Sequence, residues 1–306
     1  MSGLPFAESC RGLLAPALRS DDRVLVLGAG GWFGSTSLAM LDGVVPQSRV
    51  LALASEPRDQ LVAGVPWRLQ TWDAALAGSF APTVVLNFAF LTRGFAATLP
   101  AEQYRATNAR LTARFLEAAR LPTVRTALTV SSGAAVTEPE HAYGRMKLAE
   151  EAEALALVTP GRSVVVARAY AVSGPFARHP REYAFSSFVE QAMHGRIAVM
   201  ADRPTFRRYC DVGQYLAVAV RRGLDGWSGV IESGGELVEM GELAQLVADA
   251  CPHPVAVTRA EQVSEAPSVY ASDDSDWREH CAALALEPAT LAAQVTAAVS
   301  RESHAN

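Results

Sequence analysis

The chain is poor in the features that announce several common chemistries. Among its 306 residues are four cysteines, Cys10, Cys210, Cys251 and Cys281, and no two form a C-x-x-C pair. Six histidines are scattered without an H-x-x-x-H spacing, so nothing local supports a metal site. Thiols this far apart read as reduced cysteines of a cytoplasmic protein. There is no G-x-S-x-G, the usual local marker of a serine hydrolase. No apolar run approaches the roughly 20 residues of a membrane span. Met1 to Ser20 lacks the basic-then-apolar order of a secretory leader. Positive charge is in deficit, giving a net charge of −5 at pH 7, which argues against a nucleic-acid partner.

What remains is a chain that is 50% hydrophobic and 19% charged, long enough to bury a large core without a disulfide or metal staple. Residues 1–20 read as an N-terminal extension, in which Leu13, Leu14, Ala17 and Leu18 suit a turn or two of helix. From Arg23 onward, short apolar runs alternate with helical patterns. Strands are expected at Val24–Leu27, Arg49–Ala54, Thr83–Asn87, Ala127–Val130 and Ser163–Ala167. Helices are expected at Ser35–Leu41, Tyr104–Arg120 and Tyr143–Leu157. This alternation implies βαβ units around a parallel sheet. The expected organisation is an extension over 1–20, a dinucleotide-binding domain over 21–173 completed by part of 205–235, and a smaller lobe over 174–306.

Directly after the first strand stands Gly28-Ala-Gly-Gly31-Trp32-Phe33-Gly34, opening a helix. Glycines there allow a tight turn and close backbone approach, and a helix N-terminus offers amide donors to a pyrophosphate. An NAD site usually places an acid at the end of the second strand, to hold the ribose 2′-hydroxyl. Here that place holds Ala54-Ser55, followed by Glu56 and Arg58. Ser55 and Arg58 suit the 2′-phosphate of NADP, while Glu56 leaves NAD as the alternative.

Tyr143 and Lys147 lie four residues apart, hence on one helix face. An ammonium beside a phenol favours the phenolate, so the Tyr143 pKa is expected to be lowered. Ser132, at the end of the preceding strand, is placed to hydrogen-bond the same substrate oxygen. Hydride would pass to or from a nicotinamide.

The glycine turn, the Ser131-Ser132 strand end and Tyr143-x-x-x-Lys147 together resemble the extended short-chain dehydrogenase/reductase family, also called the NAD-dependent epimerase/dehydratase family. Asn108 with Phe115-Leu-Glu-Ala-Ala119, Arg168 to Pro175, and Gly195 through Val212 are similar to further family segments. The resemblance implies an α/β fold: a Rossmann-type doubly wound parallel sheet with a smaller C-terminal substrate-binding lobe. It implies Ser132, Tyr143 and Lys147 as the catalytic set. It places Gly28, Gly31, Trp32, Phe33, Gly34, Ser55, Arg58, Phe88, Ala89, Phe90, Asn108, Tyr143, Lys147 and Tyr170 at the cofactor, NADP or NAD. Substrate contacts fall to Thr92, Arg93, Ser132, Phe188, Arg207 and Arg208, with Arg207 or its neighbour Arg208 meeting the phosphates of a nucleotide sugar. A homodimer through the helices near 104–120 and 143–157 is expected, although Arg110, Arg114 and Glu150 also fit an ordinary exposed face. No metal is expected.

Several positions depart from the family pattern. Ala171 replaces an Asn, Gly213-Gln214 an acidic pair, and Asn87-Phe-Ala-Phe90 a His-x-Ala-Ala/Gly segment. The loop from Ser132 to Tyr143 is short. Aligning Ser131 to Val136 with "S-S-G-A-V-Y" makes Ser132 the catalytic hydroxyl, whereas a one-residue shift puts Gly133 there. Gly133-Ala134-Ala135 carry no acid or base, which disfavours water elimination. His141 and His179 remain as candidate carbon acids or bases. The leading expectation is NADPH-dependent reduction of a sugar ketone with Tyr143 as proton donor. The alternatives are a nucleotide-sugar 4-epimerase that recycles its cofactor, a reductase of a non-sugar ketone, and an NADP(H)-sensing binding protein.

Overall fold

The computed structural model describes residues 5–73, 80–177 and 180–305. The chain forms two compact units. The first comprises residues up to Ala169 together with Gly213–Ile231, and the second comprises Tyr170–Val212 and residues from Glu232 onward.

The first unit is built on eight strands: β1 (Val24–Leu27), β2 (Val50–Leu53), β3 (Arg58–Val62), β4 (Val65–Gln70), β5 (Val84–Asn87), β6 (Thr126–Ser132), β7 (Ser163–Ala169) and β11 (Gly229–Glu232). Their order across the sheet is β11-β7-β6-β5-β1-β2-β4-β3. From β7 to β4 every neighbouring pair is parallel, and β3 closes the edge antiparallel to β4. All four residues of β1, and all four of β5, are buried, which is why these strands read as unbroken apolar runs rather than alternating ones. Leu25, Leu51, Val85 and Val164 pack with Phe115, Leu116 and Ala154 of the helices Ala101–Ala119 and Ala142–Leu155.

Chain order reverses beside β1: β2 lies on one side of it and β5 on the other. In open α/β sheets this reversal leaves a crevice beyond the carboxyl ends of the two strands. The glycine turn leaves β1 there, and Phe88 to Phe90 leave β5 there.

Three features differ from the sequence expectation. The β3–β4 hairpin follows β2, where the apolar pattern was too mixed to register as strand. The strand expected at Ala127–Val130 runs on to Ser132. The helix expected around Leu13 to Leu18 lies earlier, at Pro5–Leu14, where it buries Cys10 and Leu14 completely and Arg11 pairs with Asp42 at 3.2 Å.

In the second unit β10 (Thr205–Asp211) pairs with β8 (Ala171–Ser173), β12 (Glu236–Glu239) and β14 (Ser268–Tyr270), and β9 (Arg196–Val199) pairs with β13 (Ala256–Arg259). Phe185, Val189, Tyr209, Leu243 and Val295 form its core. Among the described residues, no helix is long and apolar enough to cross a membrane.

Candidate active site

Successive side chains of a strand point to opposite faces, and β6 applies this rule to its two serines. The hydroxyl of Ser131 donates to Oε1 of Glu151, which also accepts from Arg168 Nε at 3.0 Å. Ser132 faces the other way and hydrogen-bonds Tyr143. Its Oγ also accepts the Ala134 N–H at 3.3 Å. It is therefore Ser132, and not Gly133, that stands beside the phenol.

Tyr143 lies in the first turn of Ala142–Leu155, a helix capped by His141, whose Nδ1 accepts the Tyr143 N–H at 3.2 Å. Gly144 lets this turn press against the preceding segment. A Cβ there would stand 2.2 Å from the Glu138 carbonyl oxygen and 2.4 Å from that of Ala134. The Phe90 ring meets Tyr143 edge-on, with centroids 5.9 Å apart. Arg93 is exposed and pairs with Glu138 at 2.8 Å, just after Thr92, which precedes a short helix. His179 lies outside the described residues.

Lys147 is buried one turn beyond Tyr143. Its Nζ donates to the Val130 carbonyl at 2.7 Å and to Glu150 Oε2 at 2.8 Å, and it lies 3.7 Å from the Phe90 ring centroid. The opposite oxygen of Glu150 accepts from Asn87 Nδ2 at 3.0 Å and Thr129 Oγ1 at 2.9 Å. Two expectations fail here. Glu150 is 2% exposed and belongs to no surface. The Tyr143 pKa is raised, not lowered: burial pushes it up, the Ser132 hydrogen bond pulls down, the Glu150 charge pushes up and Arg93 pulls down. The Lys147 ammonium has the Glu150 carboxylate against it.

The glycine turn fits a dinucleotide. Gly28 has φ +74°, and a Cβ on it would come within 2.7 Å of the Ala89 amide nitrogen. A Cβ on Gly34 would stand 2.2 Å from the Gly28 carbonyl oxygen. Gly31 precedes the helix Trp32–Leu41, whose N-terminus carries no side-chain cap, so it is suited to phosphate. Phe33 lies against Phe88 and Trp32, at 6.4 and 6.0 Å between ring centroids. Ser55 is exposed at the end of β2. The β3–β4 hairpin carries Arg58 back over the turn, so that a Cβ on Gly30 would meet its Nη2 at 2.0 Å. Arg58 is steadied by Gln60 at 3.3 Å, and Gln60 by Ser35 at 2.9 Å.

Asn108 is corrected from a cofactor contact to an internal brace. It is fully buried, accepts the Leu91 N–H at 2.7 Å and donates to the Leu91 carbonyl at 3.3 Å.

The second unit holds Tyr170, Phe188, Arg207 and Arg208. Tyr170 stacks obliquely on Tyr270 at 5.1 Å and donates to Glu232 Oε1 at 3.2 Å, and Arg207 lies over Tyr270 at 5.6 Å. Neighbours in a strand face opposite ways, so Arg207 and Arg208 do not converge on one ligand. Arg208 donates to the carbonyls of Gly235 and Ser272 and is a structural residue of this unit. Phe188, 6% exposed, is likewise part of the core rather than a substrate contact.

Sequence reasoning noted Asn87 only as a departure from the family pattern, missed Thr129 and Gln60, and offered Glu150 as an exposed residue. One signal was available: Glu150 is three residues after Lys147 and seven after Tyr143, on the same helix face.

Comparison with known proteins shows the family of the chain. The model of the NAD dependent epimerase/dehydratase family matches residues 24–221, well over half the chain. No curated protein matches. Among solved structures, the chain is similar to a UDP-glucose 4-epimerase from Brucella ovis in complex with NAD, with 20% identity over 92% of this chain and 98% of the other and a TM-score of 0.70. A UDP-N-acetylglucosamine 4-epimerase from Methanobrevibacter ruminantium has 16% identity over 94% and 100%, with a TM-score of 0.74. A dTDP-glucose 4,6-dehydratase from Streptomyces venezuelae has 20% identity over 92% and 98%, with a TM-score of 0.69. At these identities the likeness is one of fold, whereas the family match extends to sequence: the chain is an enzyme of the NAD dependent epimerase/dehydratase family.

Proposed function

We propose that the protein epimerises a nucleotide-linked sugar at a secondary alcohol, through a transient ketone. The observation that carries this reading is the pairing of Ser132 with Tyr143 at the carboxyl edge of the sheet from which the glycine turn also leaves. Residues 133–135 supply no carboxylate or thiol to move a second proton. The pair serves hydride chemistry at one carbon and lacks what water elimination requires. Two of the similar structures are 4-epimerases of UDP-sugars, which supports the substrate class.

When bound, the dinucleotide supplies the hydride acceptor and donor and, in its oxidised form, a positive charge. Tyr143 takes the proton of the sugar hydroxyl as the carbon becomes a ketone, and gives it back when the opposite face is reduced. Ser132 hydrogen-bonds the same oxygen and holds it against the phenol. The glycine turn seats the pyrophosphate, and Arg58 meets a 2′-phosphate, which favours NADP over NAD. In the second unit, Arg207 with Tyr170 and Tyr270 offers a cation and aromatic faces to the nucleotide. A homodimer through the helices Ala101–Ala119 and Ala142–Leu155 completes the proposal, to be read by light scattering on a size-exclusion column.

Proton NMR of UDP-glucose incubated with the full chain and NAD(P) tests the function. The expected result is an epimeric UDP-sugar with no net change in dinucleotide absorbance. Stoichiometric consumption of NADPH on a 4-keto sugar nucleotide, without epimer, would replace this reading by net reduction, the alternative that Arg58 favours. Failure to bind any UDP-sugar would remove the substrate class.

A further inference from the structure

The first unit buries a polar cluster that the reaction above does not require. Glu150 is 2% exposed and Lys147 4%. The two form an ion pair at 2.8 Å. Asn87 comes from β5, Thr129 from β6, and both donate to the second Glu150 oxygen, at 3.0 and 2.9 Å. Asn87 is itself held, its Nδ2 also reaching Thr129 Oγ1 at 3.0 Å and its Oδ1 accepting the Ala89 N–H at 3.2 Å. The Val130 carbonyl and the Phe90 ring occupy two further sides of the ammonium. A carboxylate held by three donors from three elements is anchored, not a mobile counter-ion. An anchored carboxylate beside a buried ammonium cancels most of its field at a third group.

We propose that Glu150 is a positioning residue that ties up the Lys147 ammonium, so that Tyr143 works beside a charge-neutral pair rather than beside a bare cation. Lys147 then serves by geometry, and the protonation of Tyr143 is left to whatever charge enters the site with cofactor and substrate. This rests on the reading of Tyr143 as the proton carrier.

Among the other groups around the phenol, Arg93 adds a positive charge that favours the phenolate. On its own helix stand Lys147 and Glu150. From β6 comes Ser132, which is neutral. From the segment after β5 come Phe90 and Arg93, and Arg93 is paired with Glu138 at 2.8 Å. The helix Ala101–Ala119 adds Tyr104, itself a neutral phenol whose pKa burial pushes up to about 12. His141 faces the Tyr143 backbone amide through a ring nitrogen acting as acceptor.

The test is the phenolate absorbance of the purified full chain followed against pH, with a Tyr143→Phe variant subtracted to isolate Tyr143 among seven tyrosines. In Glu150→Gln the Lys147 charge is uncovered, and the Tyr143 transition is expected to fall by about one to three pH units. A merely structural glutamate would change the melting temperature and leave that transition in place. An unmoved transition in folded Glu150→Gln overturns the proposal. Should that variant fail to fold, the double variant Lys147→Met/Glu150→Leu replaces the ion pair by apolar groups, an exchange that buried pairs often tolerate. There the transition is expected to stay within about half a unit of the unsubstituted protein. A rise of a unit or more would mean that Lys147 tunes Tyr143 as a free cation, and would also overturn it. The readout needs no substrate, so it stands or falls separately from the epimerase assay.

Discussion

Ser131 and Ser132 are adjacent in β6 and serve opposite sides of it: Ser131 donates to the buried Glu151, and Ser132 hydrogen-bonds Tyr143. One strand residue thus anchors the core side of the sheet's end, and the next pairs with the tyrosine proposed to carry the proton.

The two serines should therefore separate stability from turnover. Ser132→Ala is expected to lower epimerase turnover roughly 100-fold with little change in melting temperature, as for loss of one oxyanion donor. Ser131→Ala should leave turnover near normal and cost about 1–3 kcal/mol of stability, because the Glu151 carboxylate loses a buried donor. Steady-state kinetics and urea denaturation on both variants check this.

Arg58 should decide between the dinucleotides. Its guanidinium lies on the glycine turn, and among the described residues it is held by a hydrogen bond to Gln60 rather than by an ion pair. Arg58→Ala is expected to weaken NADPH binding by roughly 10- to 100-fold, the worth of a charge-assisted hydrogen bond, and to leave NADH almost unchanged. Fluorescence titration of both cofactors measures the ratio. Equal losses for the two would remove Arg58 from the 2′-phosphate.

Two glycines of the turn should respond differently to the same methyl group. In Gly34→Ala the new carbon meets the Gly28 carbonyl oxygen at 2.2 Å and the Ala29 Cα at 2.6 Å. Backbone must shift, and a loss of about 1–3 kcal/mol is expected. In Gly30→Ala it meets the far end of the Arg58 side chain, which can swing aside, and Leu69 Cδ1 at 3.3 Å, a crowding that a shift of a few tenths of an ångström relieves. That variant should melt near the normal temperature and bind NADPH less tightly. Thermal melts and NADPH titration distinguish the two.

Acid should act on the second unit through Glu239. The Arg259 guanidinium beside it, at 2.7 Å, pulls its pKa from 4.5 to about 2, despite partial burial that pushes upward. A depressed carboxylate pKa contributes stability that is complete above the unfolded value and is lost as pH falls towards the folded one. Between pH 4.5 and about 2 the urea midpoint should therefore fall less steeply in Glu239→Gln than in the unsubstituted chain. The amide oxygen can still accept the Gly241 N–H, so the helix cap survives the exchange.

The strand–helix alternation, the glycine turn and the Tyr143–Lys147 spacing are local properties, and the sequence by itself determined them. Fully buried β1 and β5 announce themselves as unbroken apolar runs, and four residues are one helical turn wherever the helix lies. Contacts between distant elements were decided only by the tertiary structure. The β3–β4 hairpin brings Arg58 over Gly30, an approach that no spacing along the chain encodes. Ser132 meets Tyr143 because β6 runs two residues past Val130, and the alternation of the strand then assigns each serine its side. Glu150 reads as a surface residue in a helix rich in glutamate, since a charged side chain is ordinarily solvated. It is buried because β5 and β6 bring Asn87 and Thr129 to its oxygens and Lys147 to its charge. The raised Tyr143 pKa follows first from its burial and then from the Glu150 charge that this convergence brings near the phenol.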